Sequence, residues 1–247
     1  MTQIVRAKKG ATARRAQWPV LAGVSVVLTV TAAQARETPV EASSVCVTNG
    51  VVEKRQGRPF EINSPSSRAV VRGVNDSRGA LRFEYLGSTA KDAPLASGVI
   101  RRQLGIKLRA EDSCNVIYVM WGIEPEQGLI VTMKLNAGKS SHAECGVKGY
   151  KRLEPTMQKA IAPIKIGEPR TLSAELDGSV LKVNVDGERV WEGETLAHAA
   201  KMYGYTGIRT DNVRIKFDWI ADDEPSASAG RAKGRGAPAV SCKPVVR

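Results

Sequence analysis

Apolar and polar residues alternate along much of this chain with a period of two, the signature of strands with one face in a core and one in water. The pattern is clearest between Thr171 and Trp219. There Leu172, Ala174 and Leu176 alternate with polar neighbours, as do Leu181, Val183 and Val185, and then Val190 leads into Trp191. Asp177-Gly178 and Asp186-Gly187 separate these runs. Asp-Gly tolerates the positive φ angles of a tight turn, so each pair predicts a hairpin. After a gap, Val213, Ile215, Phe217 and Trp219 alternate again.

The same reading applied upstream predicts strands over 45–52, 69–74 and 80–86. Residues 54–67 read as loop, with a short extended piece near Phe60 and Ile62. A strand is expected over 99–109, with Ile100, Arg102, Leu104, Ile106 and Leu108 on its core face. Arg101, Gln103, Gly105, Lys107 and Arg109 would share the opposite, basic face. Asn115–Trp121 is apolar on both faces and is expected centrally in a sheet, with Leu129–Leu135 returning beside it. Residues 136–168 read as one long irregular loop with a helical turn near Met157. A short helix is expected within 195–203, and a turn at Arg209–Asn212. Many short strands and almost no helix predict an all-β fold, an antiparallel two-sheet sandwich with long loops.

These patterned runs resemble the concanavalin A-like lectin/glucanase jelly roll, and within it the laminin-G-like and 3-keto-disaccharide-hydrolase-like domains of exported bacterial proteins. The likeness rests on Leu172-x-Ala174-x-Leu176-x-Gly178, Leu181-x-Val183-x-Val185-Asp186-Gly187, Val190-Trp191-x-Gly193 and Gly207–Asn212 followed by Phe217. It covers residues 69–220 and implies a jelly roll with a leaning towards carbohydrate. Fold alone does not establish function.

The ends of the chain differ in composition from its middle. Arg6, Lys8, Lys9, Arg14 and Arg15 precede an apolar run over 18–33, and Ala33-Gln34-Ala35 follows. This is the layout of a signal peptide over 1–35, with an uncleaved anchor as the alternative. Residues 36–68 are expected as an extension carrying the first strand, 69–220 as the sandwich, and 221–247 as a disordered basic tail. The net charge of +12 divides accordingly: five bases lie in the leader and five in the tail. The remaining 27 bases face 25 acids, so the middle of the chain is nearly neutral and nucleic acid is not an expected partner. The expected location is secreted, periplasmic or in the cell envelope, with no membrane span after cleavage.

Four cysteines in an exported chain point to disulfides. Cys114 and Cys145 bracket a predicted hairpin, which favours their pairing, and Cys46–Cys242 would then tie the ends. A free or intermolecular Cys242 is the alternative. His142-x-x-Cys145 alone lacks the ligands of a zinc site.

Three sets of residues carry candidate chemistry. The first is the basic face of Arg101, Gln103, Lys107 and Arg109, with Tyr118 and Lys134 beside it, as a surface for a glycan. Guanidinium forks suit carboxylates and sulfates, and rings stack on sugar faces. The alternative is an exposed face whose bases pair with neighbouring acids. The second is His142 with Glu144, an imidazole and a carboxylate on one loop, as an acid–base pair in a sugar hydrolase or lyase. No Glu-x-Asp-x-x-Glu run of the glucanase kind and no Gly-x-Ser-x-Gly elbow is present. The third is Asp211 with Asn212, whose oxygens suit calcium; no other cofactor is expected. The functional expectation is a glycan-binding module, with acidic glycans as the ligand class its basic face suits. A sugar-cleaving enzyme and a structural envelope protein without a small ligand are the alternatives.

Overall fold

The computed structural model describes residues 37–74, 76–222 and 241–246. The expected leader and residues 223–240 of the expected tail lie outside them. Among the described residues no helix is long and apolar enough to cross a membrane.

The strands, in chain order, are β1 (Glu37–Pro39), β2 (Val45–Asn49), β3 (Glu53–Lys54), β4 (Phe60–Asn63), β5 (Ser66–Val71), β6 (Arg78–Ser88), β7 (Arg102–Ala110) and β8 (Val116–Glu124). They continue with β9 (Gly128–Lys134), β10 (Tyr150–Arg152), β11 (Met157–Gln158), β12 (Pro169–Asp177), β13 (Val180–Val185), β14 (Glu188–Glu194), β15 (Tyr205–Asp211) and β16 (Val213–Asp222). One helical turn, α1, spans His142–Cys145.

The strands form two antiparallel sheets of the all-β jelly-roll sandwich. One runs β11-β14-β13-β12-β6-β16-β4-β3, with β1 also against β16; the other runs β10-β9-β8-β7-β15-β5-β2. Their inner faces meet over one apolar core that contains Phe83, Leu104, Ile106, Trp121, Leu172, Val183, Trp191 and Trp219. The Phe83 and Trp121 rings meet edge-on at 5.9 Å. That geometry places the positive edge of one ring on the negative face of the other. β8 is buried on both faces, as its apolar sequence predicted: Ile117, Val119 and Trp121 enter the core. Val116, Tyr118 and Met120 join a smaller cluster on the far side of the sheet.

Both Asp-Gly pairs sit in hairpin turns. Val185 pairs with Glu188, leaving Asp186 (φ 51°) and Gly187 (φ 84°) as a two-residue loop. Both positive φ angles match the twist of the flanking strands. The Asp186 carboxylate also accepts from Thr171 N–H at 2.8 Å and from Arg170 Nε at 2.7 Å, which fastens this turn to β12.

Several expectations are corrected. Residues 36–68 hold the expected first strand, β2, and more: β3, β4 and part of β5 are also integral to the sheets. The short extended piece expected near Phe60 and Ile62 is β4, between β16 and β3; the two-residue β3, at the sheet edge, carries too little apolar pattern to be read. Met157 lies in β11, paired with Glu192 of β14, not in a helical turn. Arg209–Asp211 belong to β15, and only Asn212 (φ 56°) turns the chain. The helix expected within 195–203 is a short 3-10 turn over Ala197–Lys201. Residues 241–246, expected in the tail, are docked: Val47 and Lys243 exchange backbone hydrogen bonds of 2.8 and 3.2 Å, and Cys242 is disulfide-bonded to Cys46. The second disulfide is Cys114–Cys145.

Gly105 and Gly207 are required by close approach between neighbouring strands. A Cβ at Gly105 would lie 2.1 Å from the Val119 carbonyl oxygen, and one at Gly207 2.1 Å from that of Ala69. Gly105→Ala and Gly207→Ala are each expected to cost about 2 kcal/mol in urea unfolding. An unchanged unfolding midpoint would show that the strands can part without loss.

Candidate functional site

The outer face of the seven-stranded sheet carries a cleft of about 1010 Å³. Three cross-strand rows build its floor. In the first, Asp211 of β15 lies opposite Ser66 of β5 and Gln103 of β7. In the second, Arg209 lies between Arg68 and Gly105, and Gly105 lies opposite Met120. In the third, Lys107 lies between Gly207 and Tyr118, and Tyr118 is followed by Thr132 and Arg152. Cationic side chains from three strands therefore converge on one floor, and apolar Val70, Met120 and Ile130 line the same cleft.

Asp211 is 1% exposed and is the hub of the polar network. Arg68 Nη2 donates to it at 3.0 Å, Arg209 Nε at 2.9 Å and Gln103 Nε2 at 2.7 Å. Burial alone would raise its carboxyl pKa, but the Arg209 and Arg68 charges, with the hydrogen bonds from Gln103 and Arg209, hold it below the usual range. Arg209 is 7% exposed. Burial acts against its charge, but Asp211 outweighs that and pushes its pKa further up. Its guanidinium also lies 4.9 Å from the Tyr118 ring centre, and the Tyr118 and Tyr150 rings stack at 6.1 Å.

Lys107 is 5% exposed. No hydrogen-bond or ion-pair partner for its ammonium is found among the described residues. Burial first, then the Arg68 and Arg209 charges, bring its pKa down to about 7. Two arginines and a lysine thus share this floor with one carboxylate.

Two structured walls flank the floor. At one end Asn212 fixes the loop before β7: its Oδ1 accepts from Ala93 N–H at 2.8 Å, and its Nδ2 donates to the Ala93 and Arg101 carbonyls at 2.9 Å each. This sets Ala93–Ser97 and Arg101 along the cleft. At the other end the Cys114–Cys145 disulfide joins α1 to the start of β8. Lys134 is fully buried there, and its Nζ donates to the carbonyls of Ser113 at 3.0 Å and Gly146 at 2.8 Å. Asn115 Nδ2 reaches the Lys139 carbonyl at 2.8 Å, and Asn136 Nδ2 the Lys148 carbonyl at 3.0 Å.

Of the residues singled out from sequence, Arg101, Gln103, Lys107 and Tyr118 line the cleft. Arg109 does not. β7 bulges there, with Arg109 at φ 47°, so the alternation slips and the side chain leaves that face. Its guanidinium instead donates to Ser77 Oγ at 2.9 Å and the Ala199 carbonyl at 2.8 Å. Arg102, expected in the core, sits at the sheet end in ion pairs with Asp92 and Glu124. Lys134 lies beneath the wall rather than in the cleft.

His142 lines the cleft, but Glu144 is not its partner. Glu144 accepts from Ser141 N–H at 2.8 Å, Ser141 Oγ at 2.7 Å and Ser140 N–H at 3.2 Å, closing a capping box on α1. Those hydrogen bonds, Ser141's first, lower its pKa to about 2, so it is a fixed acceptor and not a proton donor near neutral pH. His142 is shifted down by burial, then by the Lys134, Arg68 and Arg209 charges. Asp211 and Asn212 do not form a calcium site: one carboxylate is spent on cations and the other side chain on backbone. Among the described residues no cluster of three or more His, Cys, Asp or Glu could hold a metal ion.

Sequence reasoning missed Arg68, Arg152, Arg209 and Tyr150, which also line the cleft. Arg68 and Arg209 do show a signal in hindsight. Each stands at an alternating position of a β-rich run, on the side opposite its apolar neighbours.

No protein family and no curated protein matches the chain. Solved structures do. It is similar to the carbohydrate binding module CBM66 from Bacillus subtilis, at 14% identity and a TM-score of 0.45, over 70% of this chain and 91% of that one. It is similar to a galectin from Caenorhabditis elegans at 11% identity and a TM-score of 0.38, over 74% and 99%. It is also similar to a family GH16 endo-beta-1,3(4)-glucanase at 11% identity and a TM-score of 0.42, over 69% and 73%. Likeness at this level does not say what the cleft holds.

Proposed function

We propose that this chain is an exported carbohydrate-binding module whose cleft takes an acidic saccharide, with the carboxylate or sulfate of the sugar on the Arg68–Arg209–Lys107 floor. The observation that carries the reading is the unequal charge of that floor: three cations, two of them less than a tenth exposed, share it with Asp211, while Glu111, Asp112 and Glu126 also line the cleft. A buried cationic surplus is costly unless an anion completes it. Arg101 and Arg152 add further positive charge where they line the cleft, and no partner for either side chain is found among the described residues. Tyr150 is 41% exposed and offers a ring face for a sugar. Two disulfides fit an oxidising compartment.

Calorimetric titration with an oligogalacturonide and with its methyl ester tests this. The acid is expected to bind and the neutral ester to bind at least about tenfold more weakly, with affinity for the acid falling as salt rises. Arg101→Gln combined with Arg152→Gln is expected to weaken acid binding by about tenfold, because these side chains hold no part of the fold together. Equal binding of acid and ester, or none of either, would overturn the acidic-saccharide reading.

A further inference from the structure

The same floor has a property that binding does not use. We infer that Lys107 is a carbonyl-capturing amine, forming an imine with an anionic aldehyde or ketone held in the cleft, such as the open-chain reducing end of an acidic sugar. The inference goes beyond the binding reading, which needs Lys107 only as a charge.

A nucleophilic lysine must be neutral, reachable and free of a fixed acceptor. Lys107 lines a cleft large enough for a saccharide, while its ammonium has no hydrogen-bond or ion-pair partner among the described residues. The other buried lysine is the opposite case. Lys134 is tied to two carbonyls and lies beneath the wall. The groups around Lys107 disfavour its protonated form. Burial comes first, then Arg68 of β5 and Arg209 of β15 repel it, and Tyr118 of β8 stands opposite it. Asp211, the floor's carboxylate, is already held by Arg68, Arg209 and Gln103, while Glu111, Asp112 and Glu126 also line the cleft without an ion pair to Lys107. With its pKa brought down to about 7, a large share of the amine is neutral near neutral pH. The arginines that, after burial, further depress its basicity are also the groups that would hold a carboxylate beside it.

The step needs no co-reactant. The neutral Nζ attacks the carbonyl carbon, and the C=O π electrons move to oxygen to give a carbinolamine. The two Nζ protons pass to that oxygen, which leaves as water, and C=N replaces C=O. No atom is oxidised or reduced.

The test uses the intact protein with glyoxylate, a small anionic aldehyde, trapped by cyanoborohydride and located by peptide mapping. Lys107 is expected to be alkylated at least about tenfold faster at pH 7 than the exposed Lys91 and Lys159. Its rate should level off by about pH 8, whereas surface lysines keep accelerating towards pH 10. Acetaldehyde, which lacks the charge, should lose the preference. Alkylation of Lys107 no faster than Lys91, or a Lys107 rate still climbing above pH 9, would overturn the inference without any variant having to fold. The two readings fail separately. Selective trapping that an oligogalacturonide does not compete with would retain the reactive lysine and remove the saccharide. Calorimetric binding without trapping would do the reverse.

Discussion

Asp211→Ala is expected to destabilise the fold by about 3–5 kcal/mol, the range for removing one partner of a buried ionic network. Asp211 is almost wholly inaccessible and receives three hydrogen bonds, two of them from guanidinium groups. Its loss leaves Arg209, itself buried against the Tyr118 ring, as an uncompensated charge under low dielectric. Removing Arg209 as well should give much of that stability back. The double variant Asp211→Ala, Arg209→Met is therefore expected to be more stable than Asp211→Ala alone, a non-additivity that marks a shared network. Urea unfolding of the three proteins decides it: a single variant within about 1 kcal/mol of the parent would show that water, not Asp211, solvates the arginines. The network also predicts an acid limb. Asp211's folded pKa lies below its unfolded value, so its contribution is present above the unfolded carboxylate range. It is lost as pH falls through the folded value. That part of the pH dependence should vanish in the variant.

Lys107→Met is expected to act in the other direction, stabilising the protein at pH 7 by about 2 kcal/mol. The lysine's pKa falls from 10.5 to about 7 on folding, which amounts to a penalty on the order of 5 kcal/mol before the cleft relaxes. Methionine keeps an unbranched side chain of similar shape, one atom shorter, and removes the charge. The sign with pH is fixed by proton counting. Between about pH 7 and 10.5 the unfolded chain holds a proton that the folded chain has released, so stability rises with pH through that window. In Lys107→Met that rise should flatten. Thermal unfolding from pH 6 to 10 checks both points, and a variant no more stable than its parent at pH 7 would mean the ammonium is solvated in the cleft. A stabilising change at a site that would weaken anion binding is the ordinary trade between function and stability.

The long central strands and both Asp-Gly hairpins could be read from the sequence because each depends on residues close together in the chain, whereas the two- and three-residue strands β3, β10 and β11 carry too short a pattern to show. Period-two alternation over 172–185 and the apolar doubling of Val116–Trp121 each report one strand's own surroundings. Gln103, Lys107 and Tyr118 could be assigned to a face turned from the core for the same reason. Arg109 shows the limit of that rule. A single residue at φ 47° shifts the alternation by one, and nothing in Leu108-Arg109-Ala110 announces it. The cysteine pairs were open to inference because four cysteines leave few choices and Cys114 and Cys145 bracket a hairpin legible in the local pattern.

The tertiary structure alone decided which strands are neighbours. β15 lies between β5 and β7, although those partners precede it by more than 90 residues. That insertion gives Arg209 its place between Arg68 and Gly105, puts Asp211 within reach of both arginines and Gln103, and leaves Lys107 in a cationic field with no counter-ion of its own among the described residues. Alternation tells a strand which side to bury, since that cost is local. Neighbour and register are set by closing two sheets over one core, where every apolar face must be covered at once. The cleft is a product of that closure, so its chemistry could be read only after the strands had been put side by side.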